Sequence, residues 1–156
     1  MGKVAKFFRI APADRRLLVE ASLLLLLARA ALKLLPFRTL VRILFRPVDH
    51  GPGEAEASTI VGRVRWAVLS GARNGPVSMV CFPQAIAAHL MLRRRRVPST
   101  LYYGVAKTAD GGIEAHVWVR AGALPVVGCE TAARFTVMTT FPLRSDPLAR
   151  SAGSPS

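Results

Sequence analysis

At Pro98 the spacing of apolar residues changes, and that change constrains the fold more than any other feature of the chain. Upstream, apolar residues recur at helical intervals, as in Ile60, Val64, Ala67 and Val68. Downstream they alternate, as in Ala115, Val117 and Val119 against His116, Trp118 and Arg120. The first spacing suits one face of a helix and the second one face of a half-buried strand. Helices first and strands last, without interleaving, is the pattern of an α+β fold: N-terminal helices, then a helix packed on a small antiparallel sheet.

The first helix is marked by Pro12-Ala13-Asp14, with Asp14 as N-cap, and runs from Arg15 to a stop at Pro36. Leu17, Leu18, Ala21, Leu24, Leu25, Ala28, Leu32 and Leu35 define one face, but Leu23 and Leu27 lie off it, so this helix needs covering on more than one side. The apolar run between Glu20 and Arg29 is only eight residues, far short of the roughly 20 that a bilayer requires, so no transmembrane span is expected. A second amphipathic helix, Phe37 to about Arg46, sets Leu40, Val41, Leu44 and Phe45 opposite Arg38, Arg42 and Arg46. Residues 1–47 thus form a helical region that covers the core or docks a partner.

Val48 to Ala57 reads as a linker. Ser58 or Thr59 caps a third helix that continues to about Ser70 and ends at Gly71 and Asn74-Gly75-Pro76. The loop from Asn74 to Met79 leads straight into Cys81, which makes Asn74 a candidate pocket residue.

Cys81 stands where the next helix begins. Pro83 suits a first turn, because its missing N–H would have no intrahelical partner there, and Ala85 to Arg96 is rich in helix formers. The positive end of a helix dipole favours thiolate over thiol, and thiolate is the nucleophile. His116 occupies a defined face of the strand Ile113 to Arg120, so cysteine and histidine form a candidate nucleophile and base. The arginines at 93–96 fall in the last helical turn, where they complement the dipole and read as a solvated end.

Thr100 to Ala106, Ile113 to Arg120 and Leu124 to Val127 read as a meander joined by turns at Thr108 to Gly112 and Ala121 to Ala123, with Phe135 to Met138 a further strand. Folding back at Ala121-Gly122 brings Val127, Gly128 and Glu130 beside His116. The core is expected over 58–142 and a flexible tail over 143–156. His89 reads as packing, Trp118 as pocket wall or core, and Cys129 as a bystander thiol.

Lys and Arg number 22 against 9 Asp and Glu, a net +13. The basic residues are dispersed, without interleaved aromatics or a nucleic-acid motif, so a surface that steers an acidic peptide or partner fits better than nucleic-acid binding. Two cysteines and no signal peptide lead to a reduced, cytoplasmic protein as the default. No spacing suits zinc and no Gly-rich loop suits a phosphate, so neither metal nor cofactor is expected.

The segment Cys81-Phe82-Pro83-Gln84-Ala85-Ile86-Ala87-Ala88-His89-Leu90 to Val97-Pro98, with Tyr103-Gly104-Val105 and Glu114-Ala115-His116-Val117-Trp118-Val119, resembles the transglutaminase-like cysteine proteases of lasso-peptide biosynthesis. Ala13 to Ala21 and Leu34 to Arg38 resemble the helical lead-in of the same proteins, so the likeness runs from about Pro12 to Phe141. The resemblance implies a transglutaminase/papain-like core and removal of the leader from a ribosomally made precursor peptide. It also implies a separate leader-recognition protein and an ATP-dependent macrolactam cyclase as partners. Cys81 would attack the scissile carbonyl and His116 would carry the proton. The family expects an acid about a dozen residues after the histidine; Gly128 stands there, and Glu130 is the nearest carboxylate and the chosen third member, the alternatives being an orienter from elsewhere such as Asn74 or Asp110, or the loss of a true third member. Two rival readings share these residues: acyl transfer or amidase chemistry on another peptide, and a non-catalytic peptide-binding scaffold.

Overall fold

A computed structural model describes residues 11–44, 46, 48, 51–74 and 81–142. The expected frayed ends, the tail 143–156, residues 75–80 of the loop before Cys81, and Phe45 of the second helix lie outside the described residues. Among the described residues four helices come first: α1 Pro12–Leu34, α2 Phe37–Leu44, α3 Glu54–Asn74 and α4 Cys81–Arg94. Strands β1 Thr100–Lys107, β2 Ile113–Ala121 and β3 Leu124–Val127 follow, then a 3-10 helix Cys129–Arg134 and β4 Thr136–Phe141. The sheet is antiparallel, in the order β3-β2-β1-β4. The fold is α+β, as the change of period at Pro98 requires.

Two helix starts differ from expectation. In α1, Pro12 lies in the first turn and Ala11 is the cap; Asp14 sits inside the first turn, where its charge faces the dipole and pairs with Arg63 at 2.8 Å. In α3 the helix begins four residues before Ser58, because Glu54 and Glu56 stabilise its N-terminus. Thr59 is then interior, its hydroxyl turned back to the Ala55 carbonyl at 3.1 Å. Gly71 does not end α3 but continues it, and a Cβ there would lie 3.1 Å from Leu25 Cδ1, so the glycine admits α1 at close range. The stop of α1 is as expected: Leu35, ahead of Pro36, is extended at φ −117° and ψ 141°.

Helix α4 is the centre of the molecule. It packs against α1, α3, β2 and β3, and Ala85, Ala87 and Ala88 are fully buried, their small size letting neighbours approach on several sides. From α1, Leu17, Ala21, Leu25 and Ala28 enter the same core, which makes that helix a layer of the domain. Its opposite face is uncovered: Val19, Leu23, Leu26 and Leu27 are exposed. No helix among the described residues is long and apolar enough to cross a membrane.

The arginine run is tied down more than a solvated end would be. Arg95 grips Glu20 with two nitrogens, at 2.6 and 3.2 Å, Arg94 approaches the same carboxylate at 3.4 Å, and Arg93 donates to the Leu44 carbonyl at 2.7 Å. These contacts lock α1 and α2 onto the end of α4.

Candidate active site

Alternation along β2 divides the sheet into two surfaces. Val117 and Val119, with Leu101 opposite Val119 and Tyr103 opposite Val117, meet the helices. His116 and Trp118, with Gly104 and Tyr102 opposite them, project from the other surface, which the 3-10 helix and Phe135 cover. Trp118 is buried there, stacked on Tyr102 at 5.5 Å and on the His116 ring at 5.9 Å. It is the floor under the imidazole, neither an open pocket wall nor part of the helical core. Phe135 packs on the same ring at 4.9 Å. Gly104 makes room for both aromatics, since a Cβ there would fall 2.9 Å from Trp118 Cη2 and 3.0 Å from Phe135 Cβ.

The imidazole is held by its Nε2, which lies 2.7 Å from the Gly128 carbonyl oxygen and 3.3 Å from Thr131 Oγ1. A carbonyl only accepts, so at the shorter contact Nε2 carries the proton, and Nδ1 is left as the basic nitrogen of the neutral ring. Gly128 precedes the 3-10 helix in the left-handed region, φ 71° and ψ 7°. A Cβ at this position would stand 2.6 Å from the Val117 carbonyl oxygen. Glycine is required on both counts.

The other candidates are bonded to other partners, although Glu130 stays within electrostatic reach of His116. Glu130, expected to orient the imidazole, turns its carboxylate to Arg65 at 2.7 Å and is largely exposed. A hydrogen bond from its own backbone N–H, with the Arg65 guanidinium, holds that carboxyl below the usual range. The Asn74 amide caps its own helix by donating to the Ser70 carbonyl at 2.9 Å. Asp110 is engaged in the β1–β2 turn by the Thr108 hydroxyl and the Gly112 N–H. Among the described residues no group of three His, Cys, Asp or Glu is placed to hold a metal.

Cys81 is the first residue of α4, half-buried and unoxidised. Its neighbour Phe82 meets Tyr103, the residue opposite Val117, at 6.4 Å between ring centroids. Cysteine and histidine therefore belong to adjoining elements, but the thiol's helix packs on the valine surface and the imidazole projects from the other. Among the described residues the two share no hydrogen bond. Cys129 donates to the Val119 carbonyl at 3.2 Å, and burial pushes its thiol up. We expect Cys129 to alkylate slowly with iodoacetamide at neutral pH, as mass-spectrometric time courses of the two cysteine peptides would report.

A family model described as the transglutaminase-like superfamily matches residues 22–140, which span α4, the sheet, Cys81 and His116. The chain belongs to that superfamily. Cysteine peptidase or acyltransferase chemistry is typical of the superfamily. No curated protein and no solved structure matches the chain. Three contributors to the site were not legible beforehand: the Gly128 carbonyl, Thr131 and Phe135. The glycine at the place of an expected acid was the only signal of the first.

Proposed function

We propose that this transglutaminase-like chain is a cysteine peptidase that removes the leader from a ribosomally synthesised lasso-peptide precursor, with Cys81 as nucleophile and His116 as base. The observation that supports it is the fixed imidazole: Nε2 is bound to Gly128 and Nδ1 is left as proton acceptor, on the strand next to a helix that begins with a free cysteine. Cys81 would attack the scissile carbonyl, His116 would take the thiol proton and return it to the leaving amine, and water would release the acyl group. Backbone N–H groups in the first turn of α4 would face the developing oxyanion, worth about 2.7–4 kcal/mol each in comparable sites.

In this reading a separate leader-recognition protein docks on the exposed face of α1, where Val19, Leu23, Leu26 and Leu27 stand clear of the core, and a macrolactam cyclase takes the freed core peptide. A surface carrying +13 would favour acidic segments of such partners. Both free thiols suit a reducing compartment such as the cytoplasm.

The experiment is incubation with a short precursor and a recognition protein encoded beside this chain, followed by mass spectrometry of the products. Leader release by the wild type, abolished in Cys81→Ala with the far-UV spectrum unchanged, is the expected result. Full release by Cys81→Ala would remove the mechanism. A second reading, a peptide-binding member without chemistry, is favoured by the lack of a hydrogen bond between Cys81 and His116 among the described residues and by the packing of the Cys81 helix on the surface of the sheet opposite the imidazole. Tight binding of the uncut precursor by the wild type would support it.

A further inference from the structure

The place where a carboxylate would orient the histidine is filled by the main chain. We propose that the Gly128 carbonyl is the positioning group for His116, fixing its proton on Nε2 and presenting Nδ1 as the base. The proposal rests on the peptidase reading for the base's use, and on geometry alone for the hold on the ring.

Three observations carry it. The contact at 2.7 Å is short for a neutral N–H to a carbonyl, and it is the closer of the two hydrogen bonds to Nε2. The ring has little freedom to turn elsewhere, because Trp118 and Phe135 pack on it at 5.9 and 4.9 Å. Finally, the carbonyl is aimed by a backbone conformation that a side chain disfavours: Gly128 is left-handed, and a Cβ would meet the Val117 carbonyl oxygen at 2.6 Å and His116 Nε2 at 3.3 Å. An aspartate at 128 would displace the oxygen that now does its work. Glycine here supplies an acceptor to the imidazole through its main chain.

A carbonyl and a carboxylate both fix the tautomer, since each accepts from Nε2–H. Only the carboxylate would add a negative charge beside the imidazolium that forms during turnover. The Thr131 hydroxyl, at 3.3 Å, is a secondary acceptor on the same proton.

The test uses the full chain labelled with 15N at histidine. Long-range 15N–1H correlation reads the tautomer of His116, assigned by its loss in His116→Gln. Initial rates with p-nitrophenyl acetate, a generic acyl donor, report turnover. The Nε2–H form is expected in the wild type. In Gly128→Ala we expect a mixture of tautomers and a kcat lower by about a hundredfold, the usual effect of misplacing a catalytic group by an ångström. Because that variant can also lose stability, the wild-type tautomer decides by itself if the variant does not fold, and Thr131→Val, which deletes the longer contact to Nε2, is the companion: it should keep the Nε2–H tautomer. An Nδ1–H tautomer in the wild type, or an unchanged tautomer and rate in a folded Gly128→Ala, overturns the assignment. Loss of turnover in His116→Gln alongside an Nδ1–H wild type removes only the carbonyl's role. Full turnover in His116→Gln removes the peptidase reading itself.

Discussion

Acidification from pH 7 to pH 5 is expected to remove about 2 kcal/mol of folding stability through one side chain, His89. His89 sits on α4 with only 2% of its surface exposed, its Nδ1 in a 2.8 Å hydrogen bond with the Ser99 hydroxyl. Burial lowers its pKa from 6.5 to about 4, the Arg93 charge acts in the same direction, and the Leu44 carbonyl opposes them. The depressed value fixes the sign. Below pH 6.5 the unfolded chain takes up a proton that the folded chain refuses until about pH 4. The stabilisation is complete above pH 6.5, falls by about 1.36 kcal/mol for each pH unit between those limits, and levels off below them. Urea denaturation at the two pH values, for wild type and His89→Leu, measures it. The leucine variant should be less stable at both, because the buried Ser99 hydroxyl loses its partner, yet it should lack the loss between pH 7 and 5. Identical pH dependence in the two proteins would contradict the account.

Truncating Leu25 is the second large effect. The side chain is 1% exposed and lies against Gly71 of α3, where a Cβ would come within 3.1 Å of its Cδ1. Leu25→Ala deletes buried methyl groups and leaves a cavity into which α1, tied to the end of α4 by Glu20 and Arg95, relaxes poorly, so about 3–5 kcal/mol should be lost. Leu27, two residues on, is 63% exposed, and Leu27→Ala should change stability by no more than about 0.5 kcal/mol. The pair separates two roles for α1. A helix that is an integral layer gives the large contrast, whereas a detachable docking arm would give small values at both positions.

The first three strands were legible to within a residue, because alternation and the turn glycines mark them twice; the fourth, expected over Phe135 to Met138, runs Thr136–Phe141. The start of α4 was legible for a similar reason, with Pro83 acceptable only near a helix start. The start of α3 was not, since Ser58 and Thr59 offered a better side-chain cap than Glu54, and the dipole's preference for Glu54 and Glu56 prevailed. The arginines at the end of α4 read as solvated because their partners, Glu20 and the Leu44 carbonyl, are distant in sequence. In the site, the strand position and face of His116 followed from the pattern, but its acceptor did not. A main-chain oxygen has no letter in a sequence, and the nearest carboxylate in the sequence, Glu130, is bonded to Arg65.

The central claim is that Cys81 and His116 work as one unit, although the thiol's helix and the imidazole lie on different surfaces of the sheet. Iodoacetamide labelling at neutral pH, followed peptide by peptide, tests that most directly. The account predicts that Cys81 reacts at least about tenfold faster than Cys129 and that His116→Ala abolishes the advantage. Equal, slow labelling of both cysteines, unchanged by His116→Ala, would contradict it.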